Sequence, residues 1–493
     1  MFASKDALFT GTGAPAGYTI NNSLRFRSTA SAYLNRTFGA GSQTSWTWSA
    51  WIKRGTLGAF QVILAAPITS GVTEEYISFS ATDTLQHRDG LVGTLTETTA
   101  VFRDPSAWYH VVYVYDSANA TASLRGVWYV NGVQQTNSTN AISSSRASYI
   151  NRAASTAIGR FASIASSYID AYFAEVNFIG GSSLPASNFG ATSANNVWQP
   201  ILYAGSYAGT NSFYLKFASF GTVAALGNDS SGNGNTWTVS TNFSITPGTT
   251  YDPMLDVPTL TSATVSNYPV FNSLFSGRTN SPTNGNLDYG ASSVGISTVG
   301  MSSGQWYWEI TSTGGTTTAA LYSSSASTST TITTGVTKGF RFDASAGTFD
   351  YTTNGSTYTS IATGLTSGPY FVYVSTAAST TASLNHGQRA FSYSIPSGYS
   401  TLNAYNISAG TVTTSGSFTG NALADGPFIW LNGTPTAMTI NSNAVTFGTH
   451  ADKLANGFKV RTSSTSYNST GTNTYSVSTT GAQFKYQIAQ GNP

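Results

Sequence analysis

Short runs of alternating apolar and polar residues, separated by turn dipeptides, govern what this chain can fold into. Trp46-Thr-Trp-Ser-Ala-Trp-Ile-Lys53 puts Trp46, Trp48, Ala50 and Ile52 on one parity and Thr47, Ser49, Trp51 and Lys53 on the other. A period of two predicts a strand with one buried face, and Trp51 is the exception to the clean pattern. Trp108-Tyr-His-Val-Val-Tyr-Val-Tyr115 is apolar on both parities, as a strand covered on both faces would be. In Val127-Trp-Tyr-Val-Asn-Gly-Val133 the dipeptide Asn131-Gly132 supplies the positive φ angles of a two-residue hairpin. The same dipeptide recurs at Asn354-Gly355, Asn432-Gly433 and Asn456-Gly457. No stretch carries a capped 3.6-residue period, so the expected fold class is all-β, with antiparallel sandwiches in several domains.

The length, 493 residues, predicts more than one domain. Composition divides the chain into a sandwich over 1–237, a proline-containing linker over 238–262, a second sandwich over 263–403 and a small β domain over 404–493. The linker reading rests on Pro247, Pro253 and Pro258, which remove backbone donors. Strands are expected at Tyr172–Ile179, Gln305–Ile310, Gly339–Asp343, Gly347–Tyr351 and Pro369–Val374, and later around Phe428–Leu431, Gly457–Val460 and Gln483–Ile488. No fixed-period repeat marks a solenoid or shaft.

Charge excludes several functions. Charged residues are 8% of the chain, against roughly 25% in ordinary globular proteins. Hydrophobic residues are 40% and aromatics 13%, enough for packed cores. The net charge of +2 comes without a basic run, so nucleic acid is not an expected partner. Met1-Phe-Ala-Ser-Lys-Asp6 lacks the order of a secretory signal, and no apolar run has the length to cross a bilayer. Membrane insertion is therefore not expected. With no cysteine there is no disulfide framework or thiol chemistry.

Several segments together resemble a known family. Leu24-Arg-Phe-Arg-Ser28, Ala32-Tyr-Leu-Asn-Arg36 and Ser45–Arg54 are followed by Trp108–Val112, Tyr129–Val133 and Ala157-Ile-Gly-Arg160. Ala174-Glu-Val176, Leu184-Pro, Phe213–Phe217 and Asp229–Trp237 continue the order. This set resembles the laminin-G-like, concanavalin A-like domain widespread in tailed-bacteriophage virion proteins. Gly304-Gln-Trp-Tyr-Trp-Glu309, the Phe340/Phe349 pair and Asn385-His-Gly-Gln-Arg-Ala-Phe391 resemble a SPRY-type sandwich, with His386 where related chains carry an aromatic. The last block loosely resembles the C-terminal domain of the same phage proteins through Tyr467-Asn-Ser-Thr-Gly471.

The resemblance implies a virion location and a structural duty, as a tail-fibre or tail-tip component contacting the host. A capsid-attached fibre or decoration protein is the alternative within that class. A glycan-active hydrolase and a free lectin are the alternatives outside it. The expected partners are further copies of the chain, with a trimer by analogy to phage fibres, other virion proteins, and a host-surface glycan or protein.

Catalytic chemistry finds little support. Glycoside hydrolysis needs two carboxyls facing one space. Glu309 is alone on its strand, Glu74 and Glu75 diverge, and Asp170 and Glu175, five apart, are expected on opposite faces. The cross-strand pair Asp343 and Asp350 stays open. Gly300-Met-Ser-Ser-Gly304 matches G-x-S-x-G but precedes a strand, whereas a nucleophile elbow leads into a helix. His87, His110, His386 and His450 show no ligand spacing. Trp46, Trp48, Trp306 and Trp308 are expected in cores, while Tyr203, Tyr207 and Tyr467 stand in turn-rich stretches that suit stacking on sugar rings or, more often, packing against a neighbour or a subunit interface. One metal expectation remains. Asp229, Ser231 and Asn233 space oxygen-bearing side chains as the first half of a calcium loop, but Ser240 stands where the bidentate acid belongs. The competing reading is an Asx turn.

Overall fold

The computed structural model describes residues 18–193, 197–323, 326–365 and 368–407, and beyond these the backbone of strands between 410 and 486. Its regular elements are β-strands and short 3-10 turns, with no α-helix among the described residues. The chain divides into two compact units, the larger running from Ala14 to Asn406 apart from Leu274–Gly277, the smaller built on Ile407–Pro493. The fold is all-β, made of several antiparallel sandwiches.

The first sandwich packs two eight-stranded sheets. In one, Val133–Gln134, Gly126–Val130, Trp108–Asp116, Ser45–Arg54, Ala171–Gly180, Ser23–Phe26 and Pro253–Met254 lie side by side, and Phe213–Leu215 also pairs with Ala171–Gly180. The other runs Asn137–Asn140, Gly93–Thr98, Leu85–Asp89, Thr73–Phe79, Gln61–Thr69, Ser155–Ile158, Leu34–Thr37 and Thr238–Val239. Trp46, Trp48, Ala50 and Ile52 enter the shared core with Phe173, Phe178 and Phe213, as their parity predicts. Asn131 and Gly132 have φ of 49° and 77° and close the expected hairpin, with Val133 opposite Val130. A Cβ on Gly132 would lie 2.3 Å from the Trp198 ring, so this turn needs glycine twice over.

The opposite parity is buried as well, which explains Trp51. Trp51, Trp108, Tyr172 and Ala174 form a second apolar cluster with Met254, Val257, Val270 and Leu287 from the chain that follows. Val112, Val114, Val127 and Ile179 form a third with Ala186 and Phe189. The outer face of this sheet is thus roofed in two halves, one by the excursion 181–212 and one by the second sandwich and its approach.

The second sandwich has a seven-stranded sheet centred on Gln305–Thr313 and Thr337–Asp343, and a four-stranded sheet centred on Phe371–Thr376 and Thr317–Tyr322. Phe342 stands opposite Phe349 in the expected strand pair. Trp308 stacks on Phe340 and Phe349 at 5.7 and 5.8 Å, and Trp306 is buried beside this core. In the smaller unit, Gly410–Asn421, Thr472–Tyr486, Pro435–Ile440 and Asn443–Ala444 make one sheet. Phe428–Trp430, Gly457–Val460 and Ala451–Leu454 make another.

The proline-containing segment 238–262 is packed into the body. Pro253 and Met254 pair with Leu24 and Ser23 at the sheet edge, a place proline tolerates. The adjoining carboxylates are buried with cationic partners. Asp252 accepts from Arg25 Nε at 3.2 Å and from Arg27 at 2.7 and 2.9 Å. Lys53 Nζ reaches Asp256, the Asn267 side chain and the Tyr268 carbonyl at 2.7, 2.8 and 2.6 Å. Leu255 N–H donates to the Gln388 carbonyl at 2.9 Å, and Arg389 donates to the Thr249 carbonyl at 3.2 Å. Prolines marked the segment as irregular, but these contacts tie it to both sandwiches.

His386 is fully buried beside Trp308, and neither ring nitrogen has a hydrogen-bond partner. It fills an aromatic position as a neutral ring, because burial pushes its pKa down to about 3. His386→Phe is expected to stabilise the protein by about 1 kcal/mol by removing two unsatisfied polar atoms. The gain should widen as pH falls from about 6.5 to about 3, where the unfolded wild-type chain takes up a proton that the folded chain refuses. Urea titrations across that range check it; a variant no more stable than wild type at any pH would contradict the account.

Candidate functional site

The described carboxylates considered for catalysis are separately engaged. Glu75 meets His87, Arg146 and Ser148, while Glu74 turns away to accept from the backbone of Ala162, Ser163 and Ile164. Burial pushes Glu75 up, but His87 and Arg146 outweigh it and hold the carboxyl at about 2. Asp350 lies opposite Arg341 and pairs with it at 2.8 Å. Asp343 instead accepts from Gln305 and the backbone of Ser345 and Ala346. Glu309 binds Tyr307 and the N–H groups of Ser392 and Tyr393. Gly300–Gly304 leads into the strand Gln305–Thr313, as expected.

One expectation needs correcting. Strict alternation put Asp170 and Glu175 on opposite faces, but the ladder to Ser45–Arg54 slips between Ala174 and Asn177, and Glu175 has φ of 52°. This β-bulge adds a residue, so both carboxyls leave the inner core. They still do not act as a pair. Asp170 accepts from Gly285 N–H and Thr56, whereas Glu175 is gripped by Tyr18 and Tyr214.

The bulge lies beside a small polar cavity. A cavity of about 10 Å³, the space of one water molecule, is lined by Ser49, Trp51, His110, Glu175, Asn177, Phe189, Pro200, Ile201, Tyr203 and Tyr214. Strands Ser45–Arg54, Trp108–Asp116 and Ala171–Gly180 supply its floor and the excursion 181–212 its wall. Glu175 Oε2 accepts from Tyr18 at 2.9 Å and from Tyr214, and those two hydroxyls are themselves 2.7 Å apart. Oε1 is buried without a partner. Burial pushes the Glu175 carboxyl up to about 7, against the lowering pull of the two tyrosine hydroxyls and Lys216.

Ser49 and His110 look like a nucleophile and base, with Ser49 Oγ 2.9 Å from His110 Nε2. The third member reverses that logic. Trp198 Nε1 lies 2.9 Å from His110 Nδ1, and an indole N–H only donates. Nδ1 is therefore the acceptor and Nε2 carries the proton, which it donates to Ser49. A histidine in this tautomer has no lone pair to take the serine proton. Burial also pushes its pKa down to about 3, so the ring is neutral. Ser49, having accepted, keeps its own O–H free to donate onward.

Tyr203 and Tyr207, weighed for sugar stacking against plain packing, belong to the excursion that forms this wall, and Tyr203 lines the cavity. Tyr203 stacks on Phe189 at 5.1 Å, and Tyr207 bonds Asn177. Tyr467 and His450 lie outside the described residues. The sequence reading did not assemble Ser49, His110 and Glu175, although His110 interrupts a long apolar run, and that was the available signal.

Asp229, Ser231 and Asn233 form a self-satisfied turn. Asp229 accepts from the N–H groups of Tyr214, Ser231 and Asn235 at 2.9, 2.9 and 2.8 Å, and from Ser231 Oγ at 2.7 Å. Asn233 donates to the carbonyls of Tyr207 and Ser212, so the loop braces the end of the excursion. No cluster of three or more His, Cys, Asp or Glu suited to a metal occurs among the described residues. The calcium expectation therefore rests on spacing alone, and the donor-filled Asp229 predicts a melting temperature unchanged by excess chelator. A fall of several degrees, restored by calcium, would show a bound ion instead.

A family model described as the concanavalin A-like lectin/glucanases superfamily, of laminin-G type, matches residues 27–186. The match falls within the first sandwich, which is similar to that family. Among solved structures, the PSpry domain of TRIM65 is similar at 9% identity, covering 24% of this chain and 88% of that one, with a TM-score of 0.20. A heptameric SAP-like pentraxin from Limulus polyphemus gives 16%, 36%, 75% and 0.24 for the same quantities. Trypanosoma rangeli sialidase in complex with sialic acid gives 16%, 36%, 28% and 0.25. A search of curated proteins finds no match.

Proposed function

We propose that this chain is a non-enzymatic structural protein of a tailed-bacteriophage virion, a tail-fibre or tail-tip component that takes part in host attachment. The observation that carries the reading is the roofed outer face of the first sheet. The face is filled by the chain's own excursion and second sandwich, leaving a water-sized cavity and carboxylates engaged one by one. The ordered segments from Leu24 to Trp237 support the virion assignment. The chain acts as one protomer of a symmetric homo-oligomer, three-fold by analogy with fibres, since few charges blunt its surface.

Mass spectrometry of gradient-purified particles is expected to find the protein in multiple copies; its presence only in the soluble lysate would overturn the proposal. Polysaccharides incubated with pure protein are expected to yield no reducing ends. Release that disappears in Glu309→Gln or Glu175→Gln would make it a hydrolase.

A further inference from the structure

We propose that Lys53 and Asn267 are the two ends of a self-forming amide cross-link between the first sheet and the approach to the second sandwich, with Asp256 moving the protons. It requires nothing of the virion assignment. Three groups meet in one buried place. Lys53 Nζ lies 2.7 Å from Asp256 Oδ2 and 2.8 Å from Asn267 Oδ1, and it also reaches the Tyr268 carbonyl. A carbonyl bond is about 1.2 Å long, so the Asn267 amide carbon is at most about 4 Å from that nitrogen. Asn267 Nδ2 donates to the Ser106 carbonyl at 2.9 Å, which fixes the amide with its oxygen toward Lys53. Trp108 Nε1 holds the other Asp256 oxygen at 3.0 Å. Lys53 and Asp256 are fully buried and Asn267 is buried with them, beside the rings of Trp108 and Tyr172.

Burial works against a lasting ion pair here. It lowers the Lys53 pKa and raises that of Asp256, against the pull of each charge on the other. One proton passed from Nζ to Asp256 leaves a neutral amine and a neutral acid, which a dry site tolerates without the cost of two buried charges. The amine keeps a hydrogen for the Tyr268 carbonyl and gains a lone pair. It is then a nucleophile held against an amide carbon, where proximity replaces the activation that an amide lacks. The Nζ–Cγ bond forms and the Cγ–Nδ2 bond breaks. The proton that Nζ sheds passes through Asp256 to the departing nitrogen, which leaves as ammonia. Nothing is oxidised or reduced, and no co-reactant is needed. The joined positions are 214 apart in sequence, and the constraint on an unfolded chain grows with the length of the loop closed. With no cysteine, the chain has no disulfide to supply such a constraint.

Intact-mass measurement of the denatured full chain tests this. The wild-type protein is expected to be lighter than its own sequence by one ammonia, and its digest should contain a branched peptide joining Lys53 to Asn267. Lys53→Met and Asp256→Asn should each show the full mass of their sequences. A chain cleaved once between the two positions should run as one species under denaturing conditions, and the Lys53→Met chain as two fragments. The wild-type mass and digest decide the matter even where a variant fails to fold. A wild-type chain of full mass, with Lys53 and Asn267 recovered in separate peptides, would overturn the proposal and leave a buried ion pair. Loss of one water instead, with Lys53 joined to Asp256, would overturn it too. Cross-linking that persists in Asp256→Asn would overturn the role given to Asp256.

Discussion

Asp252→Ala is expected to lower the stability of the larger unit by about 3–5 kcal/mol. Asp252 is fully buried and is the carboxylate shared by Arg25 and Arg27. Arg25 is itself fully buried and turns its remaining N–H groups to the carbonyls of Asn284, Thr249 and Tyr251. Those carbonyls satisfy hydrogens but do not neutralise the charge. Removing the carboxylate leaves a buried cation uncompensated, and it also removes the acceptor of Ser244 N–H. Adding Arg25→Met to the same variant should recover part of the loss, because the unpaired charge leaves with the side chain. Urea unfolding of the single and double variants measures both. A single variant within about 1 kcal/mol of wild type, or a double variant with no recovery, would show that the pair does not hold the segment.

Trp108→Ala is the second large effect, again about 3–5 kcal/mol. Trp108 is fully buried on the outer face of the first sheet, donates to Asp256 at 3.0 Å and meets Tyr172 edge-on at 6.3 Å. Its cluster includes Val270 and Leu287. The loss should therefore reach beyond the first sandwich. Hydrogen exchange is expected to speed up both in Ser45–Arg54 and around residues 268–288. Faster exchange confined to the first sandwich would mean that the two modules are energetically separate.

Much of the fold was legible because period-two patterning reports burial directly. The parity of Trp46, Trp48, Ala50 and Ile52 and the double-sided run from Trp108 each matched a real face, and Asn131-Gly132 matched a real hairpin. Trp51 looked like an irregularity only because one sequence does not show that a second sandwich covers the other side. The segment at Pro253 misled for a related reason: proline marks a missing donor but does not say whether the strand beside it is an edge. Glu175 escaped because a bulge breaks the alternation on which facing arguments depend, and nothing in Ala174-Glu-Val176 announces the extra residue. The cavity chemistry was harder still, since the His110 tautomer is set by Trp198, 88 positions away.

The central claim is that this chain is displayed on a virus particle. Gold-labelled antibodies raised against residues 18–406 and applied to intact purified particles test it most directly. The account predicts repeated, symmetry-related label on the tail fibres or tail tip, and reduced attachment to host cells; label on the head would move the protein to a capsid fibre or decoration role. Particles that stay unlabelled while the same antibodies capture the protein from particle-free lysate would contradict it.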